Sequence, residues 1–301
     1  MTHTTTPKII VVLGPTATGK SDLAVLLAKK FDGEVVSADS RQVYRGLDIG
    51  SGKITRREMK GVPHHMLDVA PPRTTYTAAR FTRDANIAVQ KILKKKRVPI
   101  IVGGTGMYLD ALVDGVTFPE VPPNLALRKK LEKKSTDELY RLLKKKDSKR
   151  AKNIDQHNRR RLIRALEIAE KLGKTPAIQK KHLFTPLHIG LTLPSPELKN
   201  RIHARLLARM KKGMVREVTK LRKEGLSWKR FAELGLEYRY LALYLQKKIT
   251  KKEMLERLEN EIVQYSKRQM TWFKRDERIQ WFRPVKDVRN IEKLVKQFLI
   301  T

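Results

Sequence analysis

The chain has 301 residues, with 66 Lys or Arg against 31 Asp or Glu, a net charge of +35, a pI near 10.4 and no Cys. That length allows one large domain or two ordinary ones with a packed core, and the missing Cys excludes disulfides and thiolate zinc sites. No apolar run approaches the roughly 20 residues that span a bilayer, and the polar start MTHTTTPK before a short apolar stretch is no signal peptide, so the expectation is a soluble, cytoplasmic protein without a membrane partner.

In chain order, the β-branched run KIIVVL (8–13) reads as a buried parallel strand. A Gly-rich turn and a helix from Lys20 to Phe31 follow, then a second strand over Glu34–Ala38. Residues 76–97 read as a helix, and Val98–Val102 as a strand that ends in GGTG. Strands alternating with helices predict an α/β fold, a P-loop NTPase-like parallel sheet. Pro119, Pro122 and Pro123 then mark a boundary. From there to about Lys181 the pattern is helical, with Ser135 and Glu138 spaced as a capping box. His188–Leu193 returns to a strand, and Ser195-Pro196 supplies an N-cap and a first-turn Pro for the next helix. A long helix covers about Lys251–Arg275, before a short strand near 279–282 and a final helix. The organisation expected is a catalytic core from 1–120 and 187–301, with a helical insertion domain over 121–186.

A pI above about 9 is the footprint of a nucleic-acid binder, with an anionic membrane surface or a mere Lys-rich bias as the competing explanations. The distribution favours a polyanion partner for the later chain. Residues 1–120 carry +7, residues 121–200 carry +13 and residues 201–301 carry +15.

Gly14, Pro15, Thr16, Ala17, Thr18, Gly19, Lys20 and Ser21 spell GPTATGKS, the phosphate-loop pattern, between a strand and a helix. Loop amides and the helix N-terminus bind phosphate oxygens, Lys20 supplies a cation, and Ser21 can ligate Mg²⁺. The motif indicates a phosphate or diphosphate ligand in a nucleotide-binding fold, not ATP in particular. Asp39 follows the second strand, at the sheet edge where ligands bind. It can reach Mg²⁺ through water, act as a general base, or simply cap a helix. Gly103-Gly104-Thr105-Gly106 leaves the same edge; its glycines allow close approach to a ligand and the Thr105 hydroxyl can donate to phosphate, unless the segment is a plain turn.

His64, His65 and Asp68 match no standard metal spacing and read as structural, with Asp68 a secondary candidate for a magnesium-side carboxylate. On the helix after Asn158, Leu162, Ile163, Leu166 and Ala169 share one face and Arg160, Arg161 and Arg164 the other, which suits phosphate-backbone contact or plain solvation. On the long C-terminal helix, Gln269 falls inside the stripe Leu258, Ile262, Tyr265, Phe273 and needs partners if buried.

The set GPTATGKSDLA, SADSRQVYRGLDIGSGK, PHHMLD, YTAARF, VGGTGMYLDAL, NIDQHNRRRLIRALEI and KRQMTWF, spread in order over most of the chain, resembles the tRNA dimethylallyltransferase (tRNA isopentenyltransferase) family. The resemblance implies dimethylallyl diphosphate as donor, N6 of adenosine 37 in the tRNA anticodon stem-loop as acceptor and Mg²⁺ as cofactor; a monomer is the default expectation for oligomeric state. It implies Asp39 as general base and Thr105 beside the breaking bond. It further implies tRNA contacts from Asp39, Ser40, Arg41, Gln42 and Thr105, and from Arg160, Arg161, Leu162, Ile163 and Arg164, with Arg128 and Arg268 added. The sequence departs from the family pattern at Ile262-Val263-Gln264, where Thr-Arg-Gln is usual, and over 235–239. Three other functions share parts of this pattern: a small-molecule ATP-dependent kinase, a prenyltransferase of free adenine nucleotides, and a non-enzymatic RNA-binding module. The basic insertion argues against the first two, and the phosphate loop, Asp39 and Thr105 against the third.

Overall fold

The first β-branched run becomes β1 (Lys8–Leu13), one of six parallel strands in the computed structural model, which describes residues 6–119, 121–176 and 183–301. The chain divides into two units, Met1–Gly115 with His182–Thr301, and Val116–Lys181. These borders fall earlier than 120 and 187, and the end of the expected helical stretch, near Lys181, lies outside the described residues.

In the first unit β1 is followed by α1 (Lys20–Lys30), β2 (Gly33–Ala38), α2 (Arg56–Met59), β3 (His64–His65), α3 (Ala78–Lys94), β4 (Val98–Gly103) and α4 (Gly106–Val113). The second unit holds α5 (Leu125–Leu131), α6 (Thr136–Lys146), α7 (Ser148–Lys152) and α8 (Arg159–Leu172). The first unit resumes with β5 (Thr185–Leu191), α9 (Ser195–Lys212), α10 (Met214–Lys223), α11 (Trp228–Leu234), α12 (Leu236–Leu245), α13 (Lys251–Phe273), β6 (Gln280–Phe282) and α14 (Val288–Ile300). Among the described residues no helix is long and apolar enough to cross a membrane.

The sheet order is β3-β2-β4-β1-β5-β6. Its inner strands are mostly apolar because both faces are covered, with Glu34 and Ser37 of β2 and His188 of β5 as buried polar exceptions. Ile9, Val11 and Ile101 join one core with α3, α4 and helices α9–α13, while Ile10, Val12 and Ile100 join the other with α1 and α14. Phe81 of α3 stacks on Tyr108 of α4 at 4.0 Å between centroids.

Two expectations shift. β5 begins at Thr185, not His188, because Thr185–Gly190 pair along β1. Pro186 is tolerated there since β6 pairs only from Ile189 onward, leaving no ladder bond for its missing N–H. Ser195 is the first helical residue of α9 and not its cap, although Pro196 does lie in the first turn. The Ser135–Glu138 capping box forms on α6, and Thr250 with Glu253 makes another on α13.

The two histidines serve the sheet. His65 Nε2 is 2.7 Å from Glu34 Oε2, and Lys95 and Arg97 reach the same buried carboxylate at 3.0 and 2.9 Å. Burial opposes the charge, but the bonds from His65, Lys95 and Arg97 outweigh it and hold Glu34 down at about 2.

In the second unit, Leu131, Leu139, Leu143, Leu162, Ile163 and Leu166 form the core. Leu162 and Ile163 are therefore interior side chains, which corrects their expected place at a tRNA surface. Glu167 is buried beside them. It takes two bonds from Arg128, at 2.7 and 2.8 Å, one from the Asn124 amide at 2.8 Å and one from Arg164 at 3.3 Å. Burial works against that charge, yet the Arg128, Asn124 and Arg164 bonds keep the carboxyl below its usual range. Arg164 also donates to Val121 O at 2.7 Å. Arg128 and Arg164 thus tie helix to helix, whereas Arg160 and Arg161 are exposed and form no ion pair among the described residues.

Candidate active site

The strand order places three loops side by side at the carboxyl edge: 14–19 after β1, 103–106 after β4 and 39–42 after β2. That edge is where parallel sheets bind ligands.

The phosphate loop is shaped by positive φ at Gly14, Ala17 and Gly19 (138°, 66° and 84°). Alternating handedness turns successive N–H groups to one side. Gly14 is required sterically as well, since a Cβ there would lie 2.3 Å from Leu191 O. Thr18 Oγ1 and Lys20 Nζ both donate to Pro15 O, at 2.9 and 2.6 Å. Gly19 caps α1 without a side chain. The amides of Lys20, Ser21 and Asp22 therefore have no acceptor within the helix, and the positive end of its dipole is open to an anion.

Gln269 answers its need for partners by joining two loops. Its Oε1 accepts the Thr16 amide at 2.9 Å and its Nε2 donates to Gly104 O at 2.8 Å. The glycines after β4 make room for this junction: a Cβ on Gly104 would stand 2.3 Å from Gln269 Nε2, and one on Gly106 2.2 Å from the Trp272 ring, while Gly103 and Gly104 also line the cleft above them. They let α13 approach the sheet edge.

A cleft of about 450 Å³ opens over these loops. Its far wall is a feature that the sequence reading missed. Arg201, Arg205 and Arg209 recur every fourth residue of α9 and all three line the cleft, with Lys20 on the other side. Arg209 is bound to Glu237 at 3.1 Å and Arg201 to Glu197 at 3.0 Å, whereas Arg205 has no ion pair among the described residues. Burial and then Arg205 push the Lys20 ammonium down to about 7, against the pull of Asp39. Burial and Arg209 push Arg205 down to about 10. Cations crowded out of water in this way are costly until an anion joins them.

Asp39 Oδ1 accepts the amides of Arg41 at 2.8 Å and Gln42 at 3.2 Å, closing a turn and not a helix. Oδ2 makes no hydrogen bond among the described residues, and Asp39 lines the cleft. Thr105 Oγ1 accepts the Ser40 amide at 3.1 Å, which ties the loop after β4 to the loop after β2. Tyr265, on α13, faces the same space; burial and the Asp39 charge push its phenol up to about 12, so it stays neutral. Gln42 also lines the cleft and donates to Gly52 O at 3.4 Å.

The remaining expected residues have these surroundings. Arg41 donates to Leu234 O and to Ser40 O, so its guanidinium braces the turn against α11. Asp68 pairs with Lys53 and does not line the cleft. Arg268 is exposed and pairs with Glu261 at 3.1 Å. For a divalent cation, Ser21 and Asp22 present oxygen donors to the cleft, but no group of three His, Asp or Glu able to hold a metal exists among the described residues. That donor set fits Mg²⁺ held chiefly by water and substrate phosphate.

The IPP transferase family model matches residues 42–276. The tRNA dimethylallyltransferase 2 of Treponema denticola is 44% identical over 275 residues, covering 89% of this chain and 92% of the relative. The tRNA dimethylallyltransferase of Anoxybacillus flavithermus is 39% identical over 280 residues, covering 91% and 90%. Among solved structures, the tRNA isopentenylpyrophosphate transferase of Bacillus halodurans superimposes with a TM-score of 0.73 at 34% identity over 96% of both chains. A eukaryotic dimethylallyltransferase acting on tRNA gives 0.77 at 28% identity, over 88% of this chain and 69% of that one.

Proposed function

The chain belongs to the IPP transferase family, and on that premise we propose that it transfers a dimethylallyl group from dimethylallyl diphosphate to N6 of adenosine 37. The acceptors are tRNAs reading codons that begin with U, and the products are N6-(dimethylallyl)adenosine and diphosphate. The observation that supports this reading is that one cleft is lined both by anion donors, at 16–21 and on α9, and by Asp39, one of whose carboxylate oxygens has no hydrogen-bond partner among the described residues.

The exocyclic amine is a poor nucleophile because its lone pair is delocalised into the ring. The reaction is therefore helped most by stabilising the departing diphosphate and the allylic charge. N6 attacks C1 of the allyl group, the C1–O bond breaks, and its electron pair leaves with the diphosphate. The loop amides, Lys20 and Arg205 stabilise that charge with donors already in place. Asp39 Oδ2 takes the proton from N6. We assign Thr105, which follows the cleft-lining Gly104 and whose Oγ1 accepts the Ser40 amide, a place beside the breaking bond. Mg²⁺, when bound, neutralises diphosphate charge, with Ser21 as its protein ligand. The adenosine must leave its stack to reach Asp39, as in other base-modifying enzymes.

The tRNA is held by phosphate contacts that include the exposed Arg160 and Arg161 of the second unit, which carries 20 Lys or Arg against 8 Asp or Glu over 116–181. Arg268, and the loop from Asp39 to Gln42, add contacts from the first unit. We place the enzyme in the cytoplasm as a monomer. Asp39→Asn tests the base assignment: it keeps the acceptor that closes the turn but cannot take the proton. Turnover is expected to fall at least about 100-fold with tRNA affinity retained; near-normal turnover removes Asp39 from that role.

A further inference from the structure

Residues 48–52 (DIGSG) have no helix or strand of their own, yet they form part of the cleft wall through Ser51 and Gly52. Three consecutive amides of this loop converge on one side chain of α10. Glu217 Oε2 accepts Asp48 N at 2.9 Å and Ile49 N at 2.6 Å, and Oε1 accepts Gly50 N at 3.0 Å. The Tyr238 hydroxyl on α12 donates to the same Oε1 at 3.0 Å. Tyr238 is buried, and a Cβ on Gly50 would stand 2.7 Å from its ring, so the loop lies directly on the phenol.

The inner side of the loop meets the cationic wall. Arg209 Nη1 reaches Gly50 O at 3.4 Å, and a Cβ on Gly52 would stand 1.9 Å from Arg209 Nη2. Glycine at 52, at a φ of 61°, leaves room for that guanidinium in this position. Gln42, also a cleft-lining residue, donates to Gly52 O at 3.4 Å. Arg205, one turn from Arg209 on the same helix, faces Lys20.

We propose that Glu217 is a positioning residue for the diphosphate end of the cleft: with Tyr238 it fixes loop 48–52, the loop seats Arg209, and Arg209 sets the field that Arg205 and Lys20 present to the anion. The proposal rests on the reading that the donor diphosphate binds in this cleft. Glu217 itself lies behind the loop and touches no substrate. A carboxylate suits the position because it accepts all four donors, whereas a carboxamide offers one acceptor oxygen and sets an NH₂ against the rest.

Glu217→Gln is the test, with Tyr238→Phe as the milder partner that leaves the three loop amides capped. In transfer assays Glu217→Gln is expected to raise KM for dimethylallyl diphosphate about tenfold, the equivalent of one charge-assisted hydrogen bond. The KM for tRNA, and kcat at saturating donor, stay within about twofold. Tyr238→Phe raises donor KM less, by about two- to threefold. Amide exchange at 48–50 accelerates in Glu217→Gln with no substrate present. Wild type that transfers normally beside a Glu217→Gln variant with unchanged donor KM overturns this inference alone; wild type that fails to transfer overturns the reading beneath it. Should Glu217→Gln not fold, an unchanged donor KM and unchanged exchange in Tyr238→Phe overturn the inference equally.

Discussion

Replacing Gln269 with methionine removes the junction between the phosphate loop and the loop after β4 while keeping the volume and apolar fit of α13. The Thr16 amide and the Gly104 carbonyl, now bonded at 2.9 and 2.8 Å, are left without partners. Orphaning a buried backbone group costs about 1–3 kcal/mol, so two give about 2–6 kcal/mol. We take about 3 kcal/mol as the central value, because Thr16 is only half-buried and water can reach part of the gap. For a chain of this size each kcal/mol lowers the midpoint by about 2–4 °C, which gives a drop of about 6–12 °C. Total stability of about 5–15 kcal/mol leaves the variant folded at 25 °C. Thermal and urea unfolding followed by circular dichroism measures the loss, and donor KM in the same preparation is expected to rise as the two loops drift apart. A Gln269→Met protein melting within 2 °C of wild type with unchanged donor KM would refute the assignment of Gln269 as the tie.

Lys20 gives a pH signature for anion binding. Its free pKa is depressed to about 7 by burial and Arg205, and a bound diphosphate raises it, so binding takes up a proton above pH 7. Affinity for inorganic pyrophosphate is expected to be flat below pH 7 and to fall by up to tenfold per pH unit above it. Calorimetry in two buffers of different ionisation enthalpy measures the uptake at pH 8, and no buffer dependence there contradicts it. Charge reversal of Arg160 and Arg161 together should weaken tRNA binding and reduce its salt slope by about one to two phosphate contacts. An unchanged slope would make that face a merely solvated one.

The strands and phosphate loop were legible because their signals are local: uninterrupted β-branched runs, and both glycines, Lys20 and Ser21 in register. Gln269 was legible as a problem, a polar residue in an apolar stripe, though not its solution, since its partners lie about 165 and 253 residues away. The α9 arginines were missed for a related reason. Their spacing of four puts them on one face, but only contact with loop 50–52 makes that face a cleft wall and not a solvated one. Gly104 and Gly106 look identical in sequence whether they admit a ligand or a helix. Likewise Arg128 and Arg164 read as surface cations until Glu167 is seen buried between them, where the energetics favour an internal clasp. Pro186 hid the start of β5 because its tolerance depends on where a neighbouring strand stops.

The central claim is the pairing of an allylic diphosphate with an adenosine in RNA at this cleft. The most direct measurement incubates the protein with Mg²⁺ and labelled dimethylallyl diphosphate, and offers an anticodon stem-loop with adenosine 37 and free AMP side by side. Label is expected on N6 of adenosine 37 and in released diphosphate, with AMP unmodified. Label on AMP alone, or no transfer from the donor together with phosphate transfer from ATP, would contradict it.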